Sequence, residues 1–317
     1  MPTRPSVIDF HTHYLPAGFA IGAISQGSAQ NRARWEAIAR RISDRQALLE
    51  DIEAGDLAGR VVNSPTALLE TDAGRLPDGI HERLNEKLAE LVSANPGKLY
   101  GLASVDTFGG ETAARQLEHA IRHLGLQGVF VDSAKGELLL DAPQARPVLE
   151  AAAELGVPVF VHPVNPPGLT AQLARFPRLG VLHARGTING ASLIALIEGG
   201  VLEALPRLNV VVTALAVGGI LLASTFDKGE TGRPHARELL KRQVYAETMG
   251  LDAVLLRALA DTLGTDHLVA GSDWPIVSTG PIASRLFSAL DAAGFSDTQA
   301  AAISSGTVLK LLGTARP

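Results

Sequence analysis

The chain has 317 residues, is 46% hydrophobic and 19% charged, and carries a net charge of −5 with both signs interspersed. That much apolar material fills a large core, and the mild acidic balance disfavours nucleic acid and anionic membrane surfaces as partners. There are no cysteines, which excludes disulfides and thiolate metal sites, leaves any metal to histidine and carboxylate, and fits a cytoplasmic protein.

The first ten residues lack the apolar core of a signal peptide. The first element is a short apolar run, 7–10, ending in His11-Thr12-His13. In a strand, residues two apart share a side, so the two imidazoles project together with Cβ atoms roughly 6–7 Å apart. That separation suits two ligands on one metal ion. The competing reading is two strand-end histidines bonded to backbone, and residues far downstream decide between the two.

Further strands are predicted at 60–63, 99–105, 128–132, 157–161, 209–213, 243–247 and 268–271. Several are apolar on consecutive positions, as in Val157-Pro158-Val159-Phe160-Val161, the pattern of strands buried on both faces. Amphipathic helices separate them. Over 111–124, Leu117, Ala120, Ile121 and Leu124 share a face opposite Arg115, Glu118, His119 and Arg122. That helix stops at Gly125, the one over 144–155 at Gly156, and the one over 253–263 at Gly264. A charged helix over 32–53 is expected on the surface.

Residues 208–226 contain no charge and have the length of a membrane span. Polar Asn209, Thr213, Ser224 and Thr225 and the pair Gly218-Gly219 instead predict a buried strand, a glycine turn and a buried helix. Eight strands alternating with helices, without a composition break, predict a single (β/α)8 TIM barrel domain over 1–317. Two long excursions, 14–59 and 162–208, are expected as lid or subunit-contact insertions after the first and fifth strands.

The chemistry collects at strand ends. His11 and His13 end the first strand, His162 ends the fifth, and Asp273 comes just after the eighth. In a barrel these ends converge on one face. Three imidazoles and a carboxylate are a donor set for one borderline divalent ion such as Zn, with a position left for water or substrate. His119 and His123 lack a third ligand and are expected in solvent; His81, His235 and His267 adjoin element boundaries or turns. Trp274 is expected either to line the pocket or to pack under the loop.

His-Thr-His-Tyr-Leu-Pro at 11–16, Phe-Val-His-Pro at 160–163 and Gly-Ser-Asp-Trp-Pro at 271–275 resemble the amidohydrolase superfamily. Within it they most resemble the branch of aminocarboxymuconate-semialdehyde decarboxylase and related benzoate-type decarboxylases. The resemblance covers almost the whole chain and includes 85–101 and 154–163. It implies His11, His13, His162 and Asp273 as ligands of one metal, most often Zn with Mn or Fe as alternatives, with Asp273 also moving protons. It further implies a small carboxylate substrate, non-oxidative decarboxylation and a homodimer or larger. Hydrolysis of an amide, imide or lactone is the alternative reaction. No lysine ends the fourth strand, so a carboxylated-lysine bridge between two metals is not supported, and no other cofactor is expected.

One departure stands out. Where the family usually has a histidine after the sixth strand, this chain has Ala214. Losing a general acid–base group typically costs ~10²–10⁴-fold. Three readings stay open: a divergent enzyme using another residue, a catalytically impaired or regulatory homologue, and an engineered inactivating change. His183, Glu247 and Asp132 are the candidate replacements. Arg34, Arg185 or an arginine of a neighbouring subunit is the candidate anchor for a substrate carboxylate.

Overall fold

A computed structural model describes residues 4–22, 29–69, 71, 75–277 and 280–313. Eight parallel strands succeed one another in chain order around the sheet. They are β1 (Ile8–His13), β2 (Gly59–Asn63), β3 (Leu99–Ser104), β4 (Gly128–Asp132), β5 (Val159–His162), β6 (Val210–Val212), β7 (Val244–Glu247) and β8 (Leu268–Val269). Each falls on a predicted run. β5 starts two residues late because Pro158 cannot donate to the ladder. β1 and the segment after β8 close the ring: Phe10 N–H donates to Ala270 O (2.7 Å), Trp274 N–H to His11 O (3.2 Å) and His13 N–H to Trp274 O (2.8 Å).

Between β1 and β2 lie α1 (Ala29–Ile42) and α2 (Arg45–Ala54). The single surface helix expected over 32–53 is therefore two. Asp44 breaks it by capping α2, its carboxylate accepting from Ala47 N–H at 3.0 Å. Nor is the pair all surface: Ile42, Leu48, Asp51 and Ile52 are buried. The later helices are α3 (Ile80–Ser93), α4 (Gly110–Arg122), α5 (Arg146–Leu155), α6 (Pro167–Leu173), α7 (Gly180–Glu198) and α8 (Val201–Ala204). They continue with α9 (Val217–Phe226), α10 (Ala236–Gln243), α11 (Ala253–Leu263), α12 (Ile282–Ala292), α13 (Asp297–Ala301) and α14 (Thr307–Leu311).

Two apolar layers result. Ile8, Phe10, Val61, Leu102, Phe130, Phe160, Val211, Tyr245 and Val269 fill the barrel interior, joined by Val308, Leu311 and Leu312 from the α14 end. A larger layer packs the outer faces of the strands against the helices. No described helix is long and apolar enough to cross a membrane. Residues 208–226 resolve into β6, a short turn at Ala214–Ala216 and α9. Two details differ from the expectation. Gly218 and Gly219 lie inside α9, where Gly219 lets the helix approach α7: a Cβ there would come within 2.7 Å of Gly190 Cα. And α9 is only half-buried: Ile220 and Ala223 pack into the core, while Leu221, Leu222 and Phe226 are exposed.

Candidate metal centre

β1 delivers two histidines through an irregularity. Ile8 pairs with Gly59 and Asp9 with Arg60, but Thr12 pairs with Val62, so β1 carries one extra residue between Asp9 and Thr12. A bulge of this kind re-aims side chains. Ile8 and Phe10 point into the barrel, and beyond the bulge His11 and His13 point into its mouth. There their Nε2 atoms lie 3.2 Å apart. His162 arrives from the end of β5, and one ligating nitrogen from each of the three rings lies within 4.8 Å of the others. Asp273, just past β8, places Oδ1 3.0 Å from His13 Nε2 and 3.4 Å from His11 Nε2. The four residues singled out from the sequence thus meet in one place.

Phe160 and Phe130 form an apolar floor, their rings 4.9 Å from His11 and 5.0 Å from His162. Asp273 sits at φ +56, a left-handed conformation uncommon outside glycine and often found at functional sites. Its carbonyl accepts from Ile276 and Val277 N–H. Trp274 is fully buried under this loop, so it packs rather than lining the pocket.

The outer partners fix the rings. His13 Nδ1 donates to Asn63 Oδ1 at 2.6 Å, which leaves Nε2 with its lone pair facing the centre. His11 Nδ1 lies 3.6 Å from Glu247 Oε1. Glu247 is itself fully buried and accepts from Ala214 N–H (2.8 Å) and Met249 N–H (2.6 Å). A Cβ on Gly271 would run into Glu247 Oε2, so glycine there makes room for the carboxylate. Glu247 therefore stands behind His11 at ion-pair rather than hydrogen-bond distance, with both its oxygens engaged by backbone N–H groups.

Electrostatics follow from the cluster. Burial lowers the His11 pKa, but the carboxylates of Asp273 and Glu247 outweigh it and hold it above its ordinary value. Burial, then Arg185 and the other two imidazoles, hold His162 well below its ordinary value. Burial raises the Asp273 carboxyl, but His11, His13 and Arg185 bring it below its ordinary value. Asp273 Oδ1 is buried with no hydrogen-bond partner. An unpartnered carboxylate oxygen facing imidazole lone pairs is a site that a cation completes. The residues present therefore fit a divalent ion.

Arg185 hangs over the mouth from α7. Its Nη2 lies 3.3 Å from His162 Nε2, and Nη1 donates to Asn165 Oδ1 at 3.2 Å. α7 is fastened below it: Asn189 Nδ2 donates to Val161 O, and Ser192 Oγ to Ser133 O. Asn189 is four residues on from Arg185 and so shares its helix face. Asp132, at the end of β4, is pushed up to about 6 by burial and by Asp106, against the pull of Arg185 and Lys135.

The remaining candidates separate. His183 is exposed, as are His119 and His123. Arg34 is exposed and donates to Ile276 O. His81 Nδ1 pairs with Ser104 Oγ at 2.9 Å, and His267 Nδ1 donates to Val244 O at 2.7 Å. Sequence reasoning missed Asn63 and the orienting position of Glu247. Both end strands, at the same level as the histidines, and that was the signal available.

A (β/α)8 barrel with two histidines at the end of β1, one at the end of β5 and an aspartate after β8 defines the class. The chain belongs to the amidohydrolase family, whose model matches residues 8–314. Two curated relatives are decarboxylases. One is 2-amino-3-carboxymuconate-6-semialdehyde decarboxylase of Dictyostelium discoideum, 28% identical over 73% of this chain and 65% of that protein. The other is gamma-resorcylate decarboxylase of a Polaromonas species, 25% identical over 74% of this chain and 77% of that protein. The match thus spans slightly less than two thirds of the Dictyostelium protein. A solved dihydroxybenzoic acid decarboxylase from Polaromonas, with bound manganese and the inhibitor 2-nitroresorcinol, has the same fold. Its TM-score is 0.82 at 20% identity, covering 99% of this chain and 98% of that one.

Proposed function

We propose that this chain is a metal-dependent carboxy-lyase that removes CO2 from a small organic acid. The observation that carries the reading is the convergence of three imidazole nitrogens within 4.8 Å of one another, with the unpartnered Asp273 Oδ1 3.0 Å from His13 Nε2 and 3.4 Å from His11 Nε2. His11, His13, His162 and Asp273 would hold the ion, zinc or manganese; the manganese of the Polaromonas structure supports this choice. Bound there, a divalent ion supplies Lewis acidity and a template for a chelating acid.

This chain's own residues do the rest. Arg185 binds a substrate carboxylate. Among the described residues no carboxylate lies within 4 Å of its guanidinium, so its charge is free for a ligand. Asp273 takes a proton from the incoming acid or from water. It gives that proton to the carbon as the C–C bond to the carboxylate breaks and CO2 leaves. Glu247 and Asn63 hold the two β1 imidazoles in register. Ala214 contributes only its backbone N–H, to Glu247, so acid–base work falls to Asp273.

The exposed apolar side chains Leu221, Leu222 and Phe226 of α9, with Phe176 and Leu179 nearby in sequence to α7, support the expected homodimer as part of this reading.

The test is metal content by mass spectrometry on protein purified without added metal, followed by CO2 release from gamma-resorcylate and 2-amino-3-carboxymuconate-6-semialdehyde. Close to one Zn or Mn per chain with CO2 release is expected. Protein that refuses metal sinks the reading. Metal-loaded protein that releases no CO2 but hydrolyses amides or lactones transfers it to the hydrolases, and one inert in both favours an impaired homologue.

A further inference from the structure

Behind β1, on the side away from the site, lies a buried charged cluster that the proposed reaction does not use. Asp9 and Arg60 are fully buried and Asp51 almost so. Arg60 Nη1 donates to Asp9 Oδ2 at 2.6 Å, and Nη2 to Asp51 Oδ2 at 2.9 Å. Arg41 of α1 reaches Asp51 Oδ1 at 2.7 Å from the half-exposed side. Replacing such a pair with apolar residues is often neutral for stability, so stability alone is a weak account of it.

Its bonds run to the residues beside the proposed ligands. Asp9 Oδ1 accepts from the backbone N–H of His11 itself (3.1 Å) and of Ser272 (2.9 Å). Asp9 Oδ2 accepts from Ser272 Oγ (2.6 Å), Thr12 Oγ1 (3.2 Å) and Arg60. One carboxylate thus spans the β1 bulge and ties it to the residue before Asp273. Arg60 closes the other side: its guanidinium lies 5.2 Å over the ring of Trp274, the residue after Asp273, and Nη1 also donates to Thr12 Oγ1. Ser272 and Trp274 flank Asp273, and Asp9 and Arg60 hold one each.

We infer that Asp9 and Arg60 are a positioning pair that sets the distance between the β1 histidines and Asp273. They touch neither metal nor substrate. The inference rests on the proposed metal centre, and it assigns the pair's effect to metal affinity rather than to folding. Outer partners of metal ligands typically change metal affinity ~10–100-fold when mutated.

The experiment measures Mn(II) and Zn(II) affinity by competition with a chromophoric chelator, beside the melting temperature of the metal-free protein. Asp9→Asn and Arg60→Met should each weaken affinity ~10–100-fold, with Arg60→Lys recovering part of the loss. Single changes strand a buried charge, so the double variant Asp9→Asn/Arg60→Met decides. It should melt near the wild type when metal-free yet still bind metal weakly. Ser272→Ala, which removes one hydrogen bond to the Asp9 carboxylate without changing any charge, should weaken affinity several-fold and serves if the charge variants do not fold. Wild-type affinity, within about twofold, in the double variant or in Ser272→Ala overturns the inference. Wild-type protein that binds no metal overturns the metal centre itself, and the inference with it.

Discussion

The two sides of the barrel mouth are built differently. On the β1–β8 side, His13 is held by Asn63, His11 faces Glu247, and Asp273 is flanked by residues tied to Asp9 and Arg60. On the β4–β6 side, His162 meets the Arg185 guanidinium, Asp132 sits close enough to Asp106 to feel its charge, and Ala214 offers no side-chain chemistry. One side is tethered and stiff, with Asp273 Oδ1 and His11 Nδ1 as polar atoms left without a hydrogen bond. The other carries charge that protein groups only partly satisfy. A site divided this way fixes its donors before substrate arrives and leaves recognition to the unsatisfied half. Mutations should separate the halves.

The largest effect is expected on the stiff side. Asp273→Asn keeps the volume but removes both the charge and the proton carrier. Turnover should fall at least ~10²–10⁴-fold while circular dichroism stays that of the wild type. Retention of a tenth of wild-type turnover would take the proton role away from Asp273. On the other side the expected signature changes. Arg185→Gln leaves the ligands in place but removes a charged donor pair worth roughly 1.5–3 kcal/mol. KM should rise ~10–100-fold with kcat changed only a few-fold, and Arg185→Lys should fall between. A fall in kcat at unchanged KM would show that Arg185 acts on the reacting bond rather than on binding.

Legibility in the sequence divides along similar lines. All eight strands are readable because each is a short apolar run bounded by turn residues. The four ligand-type residues are legible as candidates because three end a strand and Asp273 follows the last one, and strand ends meet in a barrel whatever the details of packing. The buried charges are not. Arg60 opens a strand and Asp51 lies in a segment rich in charge, and both patterns look like surface until the fold brings the two together with Asp9. The β1 bulge is equally hidden. Counting alternation from Phe10 puts His11 on the wrong face, and only the pairing with β2 shows the extra residue. Ala214 is legible as a departure, but what its backbone does is not, because Glu247 is 33 residues away.

The smallest effect concerns stability on the unsatisfied side. The Asp132 carboxyl is pushed up to about 6 from an ordinary value of 3.8, by burial first and then by Asp106. A raised carboxyl pKa means that the folded protein holds this proton more tightly than the unfolded chain does. Stability is therefore lost as pH rises from about 4 through about 6, and the loss levels off above that. A shift of about two units corresponds to at most about 3 kcal/mol, and less where solvent screens the group. Asp132→Asn removes this half-buried charge. It should raise the melting temperature by a few degrees at pH 8, and the gain should shrink toward zero as pH is lowered to about 4. A stiff, satisfied position would show the reverse, because removing a paired carboxylate destabilises most at neutral pH. If Asp132→Asn lowers the melting temperature at pH 8, Asp132 belongs with Asp9 and Glu247 among the satisfied carboxylates, and the stiff half of the mouth extends to β4.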